Sequence, residues 1–229
     1  MSSRTTPNQE NINKLFNQGV ELIRRRKYKK ALTCFDKILE SEPQRVNVWY
    51  NRGVVLYQLR KYRAAIESYD KAIGLAPDYA RAWNNKGRAL SKLGRHLDAL
   101  ECFRNATHLD PNFAIAWNNQ GMILSKLNRQ TEALQCFERA IQVDPSFAIA
   151  WFNKGTRMAA LDRYDEAVGS FEQALTIDPE FAEACYHLGL TFEKVGQKKK
   201  AIHYLERAIK LNPKFPGLQE KLDSISKRS

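Results

Sequence analysis

Apolar residues along this chain recur at helical spacing in short blocks, and the blocks come in pairs. Between Ala114 and Lys126, Trp117, Gly121 and Leu124 stand at i, i+4 and i+7, one face of a helix. Between Thr131 and Val143, the residues Ala133, Leu134, Phe137, Ala140 and Ile141 form a second stripe of the same kind. Asn128-Arg129 separates the stripes. Asp144-Pro145 ends the second one, because the residue before a proline is pushed out of the α region. Ser146 is then the expected N-cap of whatever follows. The predicted unit is a helical hairpin running from Ala114 to Phe147.

The hairpin recurs without insertion. Mid-helix glycines fall at Gly19, Gly53, Gly87, Gly121, Gly155 and Gly189, and terminating prolines at Pro43, Pro77, Pro111, Pro145, Pro179 and Pro213, each series stepping by 34 residues. Ala31, Ala65, Ala99, Ala133, Ala167 and Ala201 keep the same step, each followed four residues later by Phe35, Tyr69, Phe103, Phe137, Phe171 or Leu205. A glycine inside a helix costs about 1 kcal/mol relative to alanine. Six of them in register therefore predict a packing reason, two helices crossing closely at a small residue.

These residues resemble the tetratricopeptide repeat (TPR), a 34-residue pattern of Trp, Leu-Gly, Tyr, Ala, Phe and Pro at set positions. The resemblance covers six repeats, 12–45, 46–79, 80–113, 114–147, 148–181 and 182–215. It implies an all-α, right-handed superhelical solenoid of six helical hairpins. Trp49, Trp83, Trp117 and Trp151 stand at the family's fourth position. The seventh position, usually leucine, departs from the pattern as Gln18, Arg52, Lys86, Gln120 and Lys154, with Leu188 alone conforming. Long stems of this kind lie along apolar surface while their heads reach water. Met1 to Asn11 reads as a polar, disordered tail. From Pro216 to Ser229, the stripe Leu218, Leu222, Ile225 predicts a helix that caps the last repeat.

Composition narrows the function. The net charge of +12 is uneven: repeat 1 holds nine Lys/Arg against four Asp/Glu, and the segment from Ala182 to Ser229 ten against five. Basic residues also run along the turns within hairpins, at Lys27, Lys61, Arg95, Arg129 and Arg163. Both patterns read either as solvated edges of a repeat array or as sites for polyanions. Cys34, Cys102 and Cys136 share one repeat position, where neighbouring helices lie too far apart for a disulfide bridge. With Cys185 they read as buried thiols of a cytoplasmic protein. No apolar run approaches the roughly 20 residues of a membrane-spanning helix, and no secretory signal opens the chain. Phosphate-loop, nucleophile-elbow and HExxH motifs are missing, and His96, His108, His187 and His203 are scattered. The chain is expected to be non-enzymatic, free of cofactor and metal, and monomeric.

In the family it resembles, the first helix of each hairpin lines a concave groove through repeat positions 2, 5, 6, 9, 12 and 13. Position 6 reads Asn17, Asn51, Asn85, Asn119 and Asn153, then His187. Amides offer a donor and an acceptor each, so such a row suits the backbone of a bound peptide, although asparagine is also family-typical there. The flanking positions supply Tyr50, Tyr57 and Phe152 as aromatic contacts, Arg81, Arg88, Lys92 and Lys126 as cations, and Met122 as a soft apolar contact; Asn84 and Asn118 extend the polar stretch. The expected partner is an extended peptide or helix with apolar ends and an acidic or polar middle. The family's clamp for C-terminal carboxylates is excluded, since position 5 is never lysine and position 9 never asparagine. The runner-up is a nucleic-acid-binding module that uses the basic turn edge and basic end repeats.

Overall fold

The computed structural model describes residues 9–214 and 218–227. It divides into two compact units, the first ending at Asn112 and the second beginning at Phe113. Unit 1 holds three antiparallel helix pairs: α1 (Gln9–Arg24) with α2 (Tyr28–Ser41), α3 (Val46–Gln58) with α4 (Tyr62–Leu75), and α5 (Ala80–Lys92) with α6 (His96–Leu109). Unit 2 repeats the arrangement with α7 (Ala114–Lys126) and α8 (Gln130–Val143), α9 (Ala148–Ala160) and α10 (Tyr164–Ile177), α11 (Ala182–Lys194) and α12 (Lys198–Leu211), then adds α13 (Leu218–Lys227). Within each unit every hairpin packs on the next. The sequence period carries no sign of the division at Asn112, because repeats 3 and 4 have the same length and pattern as the rest.

The mid-helix glycines have the packing reason their register predicts. A methyl group on Gly53 would lie 2.5 Å from Tyr69, and one on Gly87 2.8 Å from Phe103. In unit 2 the partners of Gly121, Gly155 and Gly189 are Phe137, Phe171 and Leu205. The first helix of each hairpin thus lies directly on the large side chain of the second, sixteen residues on. Those side chains are among the largest fully buried ones of the described residues.

The turns within hairpins share one device. Residues Arg26, Arg60, Gly94, Asn128, Asp162 and Gly196 all adopt positive φ, between 57° and 77°. The amide of Lys27 reaches the carbonyl of Leu22 at 2.8 Å and that of Arg26 the carbonyl of Ile23 at 2.9 Å. This crossed pair satisfies the last carbonyls of α1 and reverses the chain. Only two of the six positions carry glycine, so four side chains occupy a left-handed conformation that costs roughly 1–2 kcal/mol.

The turns between hairpins correct one expectation. Ser146 does not cap the following helix. Phe147 is the residue before α9 and makes no side-chain cap. Asp144 instead accepts both the amide and the hydroxyl of Ser146, at 3.0 and 2.7 Å. Asp110 and Asp178 accept the amide two residues on in the same way. An aspartate before proline is already extended, so its carboxylate is free to fold over the turn. The tryptophans close the junction: Trp49, Trp83 and Trp151 donate their indole N–H to the carbonyls of Pro43, Pro77 and Pro145 at 2.7, 2.9 and 3.1 Å.

The unusual seventh position becomes an ion pair between successive hairpins. Arg52 meets Asp36 at 2.8 Å, Lys86 meets Asp70 at 2.6 Å, and Lys154 meets Glu138 at 3.0 Å. Each cation also lies over the tryptophan three residues before it. Arg52 reaches further and donates to the buried hydroxyl of Ser68 at 2.8 Å. A leucine at this position would give contact only; the cation adds a choice of partner.

At the N-terminus one expectation changes. The tail was expected through Asn11, but Gln9, Glu10 and Asn11 already belong to α1, where Ile12 is buried; Met1 to Asn8 lie outside the described residues. The helix expected from Pro216 is described as α13 from Leu218 on, and Pro216 lies outside the described residues. Ile225 is buried and Leu222 partly buried against the unit 2 core, beside Leu205 and Phe192.

Candidate functional site

Once the second helices supply the buried aromatics, the first helices of the hairpins are left to present a face. In unit 1 that face belongs to α1, α3 and α5, in unit 2 to α7, α9 and α11. The asparagine row lies on it, but not as a free ladder. Asn85 donates to the Tyr50 hydroxyl at 3.1 Å and Asn153 to the Asn118 carbonyl at 2.8 Å, each reaching the preceding hairpin. Asn51 donates to the backbone carbonyl of Asn47 at 2.7 Å. Asn17 is exposed, and Asn119 is half-buried. Asn84 and Asn118, read from sequence as groove flanks, are only 3% exposed. Within each unit the register of adjacent hairpins sets position 5 of one against position 6 of the next, Tyr50 against Asn85 and Asn118 against Asn153. Asn85 and Asn153 therefore each use one donor to hold the stack, and the Asn85 carbonyl also accepts from Asn84 at 3.3 Å and Arg88 at 3.4 Å.

The unit 1 face is aromatic and cationic. Tyr50 packs on Tyr79 at 4.9 Å and Tyr57 on Tyr62 at 5.4 Å. Arg88 lies over the Tyr57 ring at 4.9 Å. Arg81, Arg88 and Lys92 are exposed. Burial pushes the Tyr50 phenol up, so it stays a neutral hydrogen-bonding group.

The unit 2 face holds a cleft of about 220 Å³. Met122, Ser125 and Lys126 of α7 form one wall, Asn153, Thr156 and Arg157 of α9 the other, and Phe137 of α8 the floor. Ser125 and Thr156 donate to carbonyls of their own helices, at 3.0 and 2.8 Å. Large apolar side chains on the same two helices are exposed: Ile115 at 50%, Ile149 at 48% and Met122 at 42%. Phe152 lies partly buried beside them, packed on Phe181 at 4.9 Å. Among the wall residues Arg157 is the one that repeat positions do not point to, since it stands at position 10. Its signal is the stripe Ile149, Asn153, Arg157 at i, i+4, i+8.

His187 takes the asparagine position in α11 and is surrounded by Phe152, Phe171 and Tyr186, with ring centres 5.3 to 6.0 Å away. Burial, with the nearby charge of Arg157 and against that of Glu183, holds its pKa below the ordinary 6.5. The folded chain thus resists protonation that the unfolded chain accepts. The His187 contribution to stability is fully present above about pH 6.5 and is lost as pH falls below it, by at most about 1.4 kcal/mol per pH unit. Urea midpoints at about pH 7.5 and 5.5 should show this loss in the wild type and a smaller one in His187→Asn, the residue of the other five repeats. Equal losses in both would assign the effect elsewhere.

The remaining candidate chemistry is quiet. Cys34, Cys102, Cys136 and Cys185 are buried, unbridged thiols, and burial pushes Cys102 up to about 11. Among the described residues no cluster of three His, Cys, Asp or Glu is placed to hold a metal ion, and no helix is long and apolar enough to cross a membrane.

Family models of the tetratricopeptide repeat match residues 16–80, 80–113, 114–147 and 182–215, and a further TPR model matches 158–196. The chain belongs to the tetratricopeptide repeat family. No curated protein sequence matches it. Among solved structures, it is similar to YrrB, described as a TPR protein with an unusual peptide-binding site, at 25% identity over 85% of this chain and 98% of that one, with a TM-score of 0.65. PilW, a type IV pilus biogenesis factor, superposes with a TM-score of 0.83 over 94% of this chain and 99% of that one, at 23% identity. PilF of Pseudomonas aeruginosa gives a TM-score of 0.82 at 18% identity, over 94% and 98% of the two chains. The last two likenesses establish the TPR solenoid fold and nothing more.

Proposed function

We propose that this TPR chain is a non-catalytic scaffold of a reducing compartment, the cytoplasm, that holds an extended peptide or helix of a partner protein on the inner face of its first helices. One observation carries the reading: Met122 stands 42% exposed in a cleft otherwise walled by amide, hydroxyl and cation, and Ile115 and Ile149, at the other end of the same two helices, are about half exposed. Exposed apolar side chains rimmed by polar groups are the composition of a protein-binding surface. The peptide-binding description of YrrB, the neighbour of highest identity among those named above, agrees with it.

Panning the full chain against a random dodecapeptide phage library tests the proposal. Ligands should be enriched, and they should lose binding to the Met122→Gln/Ile149→Gln double variant while its helical circular dichroism and melting stay unchanged. An empty selection, or ligands indifferent to the double variant, would overturn it. Glutamine is chosen because it keeps helix propensity at these exposed positions.

The charge distribution supports a second reading, nucleic-acid binding through the basic turn edge. Residues 1–112 hold 21 Lys/Arg against 11 Asp/Glu, and the rest of the chain 16 against 14. The turn cations themselves weigh against it. Arg95, Arg129 and Arg163 are each held at 2.6 Å by the carboxylate three residues on, Asp98, Glu132 and Glu166. An RNA ligand would show affinity that falls linearly in log K with log salt.

A further inference from the structure

Lys126 and Arg157 face one another across the unit 2 cleft. They differ from the turn arginines in one respect: among the described residues neither has a carboxylate partner. They also stand in the last turns of α7 and α9, near helix C-termini, where a cation is favoured. Asn153 lines the same cleft one helical turn before Arg157, with one amide proton committed to Asn118. At the other end of the same two helices the apolar Ile115 and Ile149 are exposed. From Ile149 to Arg157 is eight residues, roughly 12 Å along the axis at 1.5 Å per residue. Each helix thus runs from an apolar end to a cationic end, and the two helices run the same way.

Building on the peptide-binding reading, we infer that the unit 2 cleft selects a peptide that places a carboxylate between Lys126 and Arg157, with an apolar side chain about 12 Å away against Ile115 and Ile149. In an extended peptide, at about 3.3 Å per residue, that distance is four residues. Charge complementarity decides the occupant. Two uncompensated cations on one partly apolar cleft attract an acidic segment, repel a basic one and give a neutral one no electrostatic gain, and the apolar end rejects a purely charged polymer. Asn153 contributes its second amide proton to the same carboxylate. The Met122 thioether, flexible and 42% exposed, fills the space between the two ends.

A set of fluorescein-labelled dodecapeptides tests this. One carries leucine and, four residues on, a Glu-Glu pair; a second has Gln-Gln in place of the acids; a third has Lys-Lys; a fourth keeps the first composition but sets leucine next to the acids. Fluorescence anisotropy with the full chain should rank the first peptide tightest, at least tenfold above the second. The Lys126→Glu/Arg157→Glu variant should reverse the order and favour the Lys-Lys peptide, with its melting temperature kept. Equal affinity for the first two peptides would overturn the inference. So would a charge reversal without effect on ranking, even if panned ligands still depend on Met122 and Ile149 and so uphold the scaffold reading. Loss of ranking between the first and fourth peptides would refute the 12 Å spacing. A terminal carboxylate is separated from an acidic side chain by amidating the C-terminus, and a gain that vanished on amidation would assign the cleft to chain ends instead.

Discussion

Phe171→Ala should cost unit 2 about 3–5 kcal/mol, the range for removing a large aromatic from a site that cannot collapse. Phe171 is fully buried. It lies beneath Gly155, with Phe152 and His187 against its ring at 5.9 and 6.0 Å. Helices α9, α10 and α11 all meet around it, so none of them can close the void without giving up its own contacts. Phe171→Leu should cost under about 1.5 kcal/mol, because a volume-conserving apolar swap is tolerated far better. Leu205 already fills the equivalent place under Gly189. The measurement is the urea midpoint, with hydrogen exchange to locate the loss. Protection should fall in α9 to α11 and persist in α3 to α5, since a repeat array loses stability mainly next to the damaged unit. A cost below about 1 kcal/mol for the alanine variant would mean that the hairpins do not depend on these rings.

The second large effect sets two glycines of one hairpin against each other. Gly53→Ala should destabilise by about 1–3 kcal/mol, although alanine is the better helix former. Its methyl group would stand 2.5 Å from the Tyr69 ring, and that ring is buried and has nowhere to move. Gly74→Ala, in α4 with no atom within 4 Å of the new methyl, should instead stabilise by about 0.5–1 kcal/mol. Opposite signs from the same substitution isolate close packing from propensity. A coupling between Gly53 and Tyr69 follows: combined with Tyr69→Ala, the Gly53→Ala change should lose most of its cost. If Gly53→Ala proves neutral alone, the ring contact is not what fixes the glycine.

Much of the fold was readable because a repeat states its constraints several times. One glycine facing one aromatic is an accident of sequence; six in register are a packing rule, and the structure places each on its partner. The interfaces between hairpins were less readable. Asp36 and Arg52 lie in different repeats sixteen residues apart, and only the stacking register shows that they touch. That register also explains the asparagines. Position 6 points to the groove by family resemblance, but the hairpin before it decides how much of the amide remains available. Arg157 was missed because a repeat template assigns roles by column, whereas the cleft is assembled along a helix stripe. Ser146 was misread because capping propensity is local and Asp144 competes for the same hydroxyl. The division after Asn112 has no counterpart in the pattern at all.

The cation–carboxylate contacts between neighbouring hairpins make the repeats distinguishable despite their common length. The acid that receives each cation sits at one fixed place in the preceding repeat: Asp36, Asp70 and Glu138. At that place repeat 3 carries Arg104. A shuffled gene that moved repeat 3 directly ahead of repeat 5 would set Arg104 against Lys154, two like charges at a half-buried seam. Duplication can therefore lengthen this protein only in certain orders, and the linear sequence of its modules is itself an inherited constraint.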